Sequence, residues 1–191
     1  MPIGVYTYKW VTSNLLQTEK DMKSIAVILS GCGVFDGSEI HESVLTMLAL
    51  SQNNAEVHYF SPNDLQPTVI NHITGEEKSE KRNMMEESSR ISRGKISPLS
   101  EAKAENFDAV IIPGGFGAAK NLCNFATKGS DCEINKDLLR FVQAMHQQNK
   151  PLGLMCIAPV MLPKMLNSPV KLTIGNDAET AHASKKWVAS I

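Results

Sequence analysis

Three short apolar runs constrain what this chain can fold into. SIAVILSG (residues 24–31), FDAVIIPGG (107–115) and PLGLMC (151–156) are apolar without strict alternation, and each ends in glycine or cysteine. A continuous apolar run closed by a turn residue is the pattern of a strand buried on both faces of a parallel sheet. AEVHYFSP (55–62) reads as a further strand. Helical patterns fall between the strands. In SEIHESVLTMLALSQNN, Ser38 is the expected N-cap, His41 takes the third helical position, and Val44, Leu45, Leu48 and Ala49 form the expected core-facing stripe. INKDLLRFVQAMHQQN and the stretch opening with IAPVMLPKML predict two more helices. The long polar segment 63–106 predicts a loop, a helix around residues 83–92 and a short strand near Lys95, together able to act as a lid. The β-α-β-α order predicts a mostly parallel sheet with helices on both faces, where ligands sit outside the carboxyl ends of the strands.

Residues 1–22 show no period and are expected to form a poorly ordered extension, leaving residues 23–191 as one domain. With 42% hydrophobic residues, 191 positions suffice for one real core. Nineteen Lys and Arg against twenty Asp and Glu, spread along the chain, leave no basic face for a phosphate backbone or an anionic bilayer. Nucleic acid and membrane are therefore set aside as partners. No apolar run approaches the roughly 20 residues of a membrane helix. The four cysteines, Cys32, Cys123, Cys132 and Cys156, show neither a disulfide framework nor a Cys-x-x-Cys pair. A reducing compartment follows, with cytoplasm as the expectation and a mitochondrion as the alternative in a eukaryote.

The chemistry concentrates at the strand ends. A cysteine at a tight strand-to-helix turn meets the partial positive charge of the next helix N-terminus, which favours the thiolate. Cys156 occupies such a turn. A nucleophile elbow crowds the positions two residues either side of the nucleophile; these are Leu154 and Ala158, so half of that pattern is present, and Pro159 suits a first helical turn. The competing reading of Cys156 is a packed core thiol. The side-chain-free Gly114-Gly115 turn adds a backbone N–H beside that of Ile157, and two such donors make an oxyanion hole. Glu39 and Glu42 share a helix face, and Glu42, one turn deeper and next to the apolar stripe, is the better proton carrier. Of the five histidines only His72, in the polar segment, is placed to reach the crevice; no histidine has metal-ligand spacing. Cys32 is the rival thiol, while Cys123 and Cys132 read as packing or surface residues.

Taken together, ILSGCGVFDGSEIHE, NHITGE, PGGFGAAKNL, GLMCIAPVMLPK and LTIG resemble the ElbB-type (enhancing lycopene biosynthesis) branch of the ThiJ/PfpI superfamily, over roughly residues 23–181. The resemblance implies a flavodoxin-like three-layer α/β sandwich of the class I glutamine amidotransferase-like type. Bacterial members are described as glutathione-independent glyoxalases that turn glyoxal into glycolate, and as isoprenoid-biosynthesis-associated proteins. It places the nucleophile on Cys156, the partner acid on Glu42 and the oxyanion donors on Gly115 and Ile157, with Gly114, His72 and Asn121 along the substrate pocket. No cofactor and no metal are implied, the partner is a small aldehyde such as glyoxal, and a homodimer is the assembly seen in relatives. Two departures stand out. Many superfamily members carry histidine directly after the cysteine, where this chain has Ile157, which argues against peptidase or glutaminase chemistry. Members also continue through further elements after LTIG, so C-terminal elements are expected to be missing here. Beside the glyoxalase reading, with glycation repair as a variant of it, stand a redox-responsive or chaperone-like binding protein and a silent modulator of a partner in isoprenoid metabolism.

Overall fold

The computed structural model describes residues 22–168, 170–173, 182 and 189–190. The expectations for residues 1–21 and for most of the final stretch lie outside the described residues.

The run after Lys23 becomes β1 (Ser24–Ile28), whose side chains alternate between two cores. Ala26 and Ile28 face one layer, with Phe60, Val110, Ile112 and Phe141. Ile25 and Val27, followed by Leu29, face the other, with Val57, Tyr59, Ile91 and Ile111. A strand covered on both sides has no polar face to show, which is why its sequence reads as one apolar run. After β1 come α1 (Ile40–Gln52), β2 (Glu56–Ser61), a hairpin of β3 (Val69–Ile70) and β4 (Glu77–Lys78), α2 (Met84–Ser92) and β5 (Ser97–Pro98). Then follow β6 (Ala109–Ile112), α3 (Phe116–Lys120), α4 (Phe125–Lys128), α5 (Lys136–Gln147), β7 (Leu152–Leu154) and α6 (Leu162–Leu166). β8 (Val170–Lys171) pairs in parallel with β9 (Ala189–Ser190).

The main sheet runs β5-β2-β1-β6-β7, and every neighbouring pair in it is parallel. The chain moves outward from β1 through β2 to β5, then restarts on the other side of β1 with β6 and β7. That reversal lies between β1 and β6, and it opens a crevice at the carboxyl ends of the strands. The expected α/β architecture is the one observed, with α1 and α2 on one face of the sheet and α5 and α6 on the other.

Two expectations for α1 are corrected. Its N-cap is Glu39, whose carboxylate accepts from Glu42 N–H at 2.7 Å, because Ser38 is fully buried and its hydroxyl accepts from Ser30 N–H at 2.8 Å. The stripe of Val44, Leu45 and Leu48 faces away from the core, with 49%, 62% and 51% exposure. Two stripes compete on this helix, and the face carrying the small, fully buried Ser43 packs inward. The helix expected around residues 83–92 is α2, whose Asn83 cap accepts from Glu86 N–H at 3.0 Å, and the polar segment before it also holds the β3–β4 hairpin.

Candidate functional site at the strand ends

Three turns at the carboxyl ends of adjacent strands converge: the one leading from β1 into α1, the one after β6, and the one after β7. At the end of β7, Met155 N–H still donates to Ile112 O at 3.1 Å, and the next residue breaks the strand. Cys156 adopts the left-handed region, with φ +56°, and is exposed. Ile157 then starts the 3-10 turn Ala158–Met161 that leads into α6. A non-glycine residue with positive φ at a strand-to-helix turn carries backbone strain, and here the strain aims the thiol out of the fold.

Gly114, at the end of β6, makes the junction. Its N–H donates to Glu42 Oε2 at 2.7 Å, and its carbonyl accepts from Glu39 N–H at 2.9 Å, so the first turn of α1 clamps it through both backbone groups. A Cβ at this position would stand 2.3 Å from Cys156 Cβ and 2.8 Å from Glu42 Oε2. Only glycine lets the strand end, the carboxylate and the cysteine approach this closely. Glu42 is half-buried beside Gly114. Its neighbour Glu39 is tied up as cap and as partner of His41 Nδ1 at 2.9 Å. Burial would raise the Glu39 carboxyl, but the hydrogen bonds from Glu42 N–H and His41 outweigh it and hold the group below its ordinary value.

Two backbone donors border this pair. Among the described residues, neither Gly115 N–H nor Ile157 N–H is taken by a protein acceptor, and Gly115 is buried. Unpaired N–H groups beside an exposed thiol are free to bind developing negative charge.

The remaining expected pocket residues divide. His72 does not join Cys156 or Glu42. Its Nε2 accepts from Phe35 N–H at 3.2 Å, its ring lies 5.0 Å from that of Phe35, and Asp36 Oδ1 is 3.8 Å away. It thus borders a neighbouring recess of about 370 Å³ lined by Phe35, Ile70, Phe116 and Lys120. Asn121 serves as a framework residue. It is buried, and its amide donates to Ser30 O at 2.7 Å and Asp36 O at 2.8 Å, locking the turn after β1. Gln66 supports the same turn through Asp36 O at 3.1 Å, a role with no sequence signal, since an isolated glutamine in a polar stretch reads as surface. Cys32 is half-buried, and burial, with Glu87 adding to it, pushes its thiol above the ordinary value. Among the described residues, no three His, Cys, Asp or Glu side chains converge as a metal site, and no helix is long and apolar enough to cross a membrane.

Comparison with known proteins agrees with this frame. The model of the DJ-1/PfpI family matches residues 31–173. The chain is 49% identical over 156 residues to the ES1 protein homolog, mitochondrial, of Rattus norvegicus, covering 81% of this chain and 58% of the relative. It is 47% identical over 165 residues to the glutamine amidotransferase-like class 1 domain-containing protein 3, mitochondrial, of Homo sapiens, covering 86% and 61%. The chain therefore spans about three fifths of the length of the curated relatives it matches. Among solved structures, an isoprenoid biosynthesis protein with amidotransferase-like domain from Ehrlichia chaffeensis superposes with a TM-score of 0.78 at 35% identity, covering 87% of this chain and 77% of that one. These curated relatives carry the ES1 and amidotransferase-like names and not the ElbB name, and both are named mitochondrial. With its flavodoxin-like, class I glutamine amidotransferase-like sheet and the matched residues 31–173, the chain belongs to the DJ-1/PfpI family.

Proposed function

We propose that this chain is a cofactor-independent, glyoxalase-type enzyme acting on small aldehydes such as glyoxal, with Cys156 as nucleophile and Glu42 as proton carrier. The observation that carries this reading is the Gly114 junction, which holds a carboxylate and an exposed cysteine of strained backbone against one glycine.

The Cys156 thiolate adds to one aldehyde carbon of glyoxal, and the resulting oxyanion of the hemithioacetal meets the Gly115 and Ile157 N–H groups. Glu42 removes the proton from that carbon, and the neighbouring carbonyl becomes the hydroxyl-bearing carbon of an enediol. Returning the proton to the second carbon gives the glycolate thioester. Water then cleaves the carbon–sulfur bond, releasing glycolate and the free thiol. Oxidation of one carbon balances reduction of the other, so no external electron carrier enters. Gly114 N–H keeps the Glu42 carboxylate aimed while the proton moves.

Glycolate production from glyoxal in amine-free buffer, followed by NMR, tests the assignment. Cys156→Ala is expected to abolish turnover, and Glu42→Gln to lower it at least ~10²-fold. Undiminished glycolate formation by Cys156→Ala would sink the reading. The relative named for isoprenoid biosynthesis fits an ElbB-like role near that metabolism, and we place this chain in mitochondria with its named relatives. A fluorescent fusion of the full chain that stays in the cytosol removes that last assignment.

A further inference from the structure

The β3–β4 hairpin, the turn after β1 and α3 enclose a recess that the chemistry above leaves unused. It measures about 370 Å³ and is lined by Phe35, Ile70, Gly75, Phe116, Lys120 and Ala126. Phe35 is 39% exposed and Phe116 47%. Two part-exposed phenylalanines lining one hollow are apolar surface that the fold itself does not cover.

The polar groups around the recess hold its walls in place. Phe35 N–H donates to His72 Nε2 at 3.2 Å, its carbonyl accepts from Lys120 Nζ at 3.0 Å, and its ring lies 5.0 Å from the imidazole. Phe116 N–H donates to Val34 O at 2.7 Å, which fixes the second aromatic residue to the same turn. Ile70 N–H donates to Asp36 Oδ2 at 2.7 Å, so the buried Asp36 carboxylate is engaged by the hairpin backbone. Walls already set by hydrogen bonds need little ordering when a ligand enters. Lys120 gives the recess its charge. Its ammonium lies 5.6 Å from the centre of the Phe116 ring, and the bond to Phe35 O uses one of its three N–H groups. Among the described residues no carboxylate comes within ion-pairing distance of it.

We infer that this recess is a binding site for a small carboxylate with an aromatic body. The ring packs against Phe35, Phe116 and Ile70, in the edge or offset contacts that aromatic pairs favour. The carboxylate meets the remaining N–H groups of Lys120. Size sets the limit: a dry cavity of about 150 Å³ already admits benzene, and 370 Å³ lies at the low end of ligand pockets, which run from about 300 to 1,000 Å³. One ring with a short acid arm therefore fits. Phe116 directly follows Gly115, so the ligand occupies the turn that also carries an oxyanion donor. The inference stands independently of the glyoxalase reading.

The test titrates the full ¹⁵N-labelled chain with phenylacetate and follows the amide resonances. Phenylacetamide supplies the ring without the charge, and acetate the charge without the ring. Phenylacetate is expected to move the Phe35, Ile70 and Phe116 amides along one saturable curve. Phenylacetamide is expected at the same amides but roughly fivefold more weakly, the size of a solvent-exposed ion pair, and acetate is expected not to saturate. Lys120→Met keeps an apolar stem beside Phe116 and should bring acid and amide to equal affinity. Phe116→Ala should weaken both by roughly fivefold, the size of an aromatic pair. Phenylacetate that does not saturate, that saturates at amides elsewhere, or that is matched by phenylacetamide or acetate overturns the inference, as does a Lys120→Met protein that still prefers the acid. Should either variant fail to fold, the comparison of the three probes on the unsubstituted chain decides it alone.

Discussion

The turns after β1 and after β7 both carry a cysteine at the carboxyl end of a parallel strand, yet they hold it in opposite ways. After β1 the chain wanders through residues 30–38 before α1 begins, and its polar groups are spent inward. Gly31 N–H donates to Ser88 Oγ at 2.7 Å, Gly33 N–H to Ser38 O at 2.9 Å, and a Cβ on Gly37 would stand 2.3 Å from Cys32 N. Cys32 sits half-buried in that packing. After β7 a single residue separates strand from turn, and the left-handed backbone of Cys156 turns its side chain outward. A strand end supplies the address, but the abruptness of the turn decides whether the thiol is structural or reactive.

Four measurements break or sharpen this contrast, in descending size. The largest is the contrast in turnover: Cys156→Ala should lose glyoxal conversion altogether, while Cys32→Ala keeps it, and equal losses would erase the distinction. Next, Gly114→Ala forces a methyl group into the space shared by Cys156 and Glu42. A displacement of about 1 Å at reacting groups is worth roughly 10²-fold in rate, so kcat/KM should fall at least that far; a wild-type rate would show that the junction does not matter. Third, iodoacetamide at neutral pH should label exposed Cys156 first and Cys32 well behind it, because burial and Glu87 hold the Cys32 thiol above its ordinary value. Peptide-resolved rates that coincide would contradict this. The smallest effect concerns the helix that delivers Glu42. Glu39→Ala removes a cap worth about 1 kcal/mol. The folded carboxyl is held below its ordinary value, so its stabilisation is present above the unfolded pKa of about 4.3. It is lost as pH falls through the lower folded value. Urea denaturation of both proteins at pH 7 and pH 3 should show the gap closing in acid.

The parallel layout was legible because both faces of each central strand are buried, and burial on both faces is what writes a continuous apolar run into so short a stretch. Cys156 was legible as an elbow from its place between PLGLM and a proline-bearing turn. Glu42 was legible as the deeper of two acids on a helix start. The orientation of α1 was not, since apolar residues occupy more than one of its faces and Ser43, a small polar residue, fits inward where leucines were expected. Asn121 and Gln66 were equally hidden: their work is to satisfy carbonyls of a distant turn, and such pairings leave no period in the sequence.

The positive φ of Cys156 sets the fold and the chemistry at odds. Left-handed backbone costs an L-residue roughly 1–2 kcal/mol that glycine does not incur. Cys156→Gly should therefore melt at a higher temperature than Cys156→Ala while being just as inert, and an equal or lower melting temperature would show that the turn is unstrained. Folding alone would favour glycine at this position, whereas the proposed chemistry needs a thiol there.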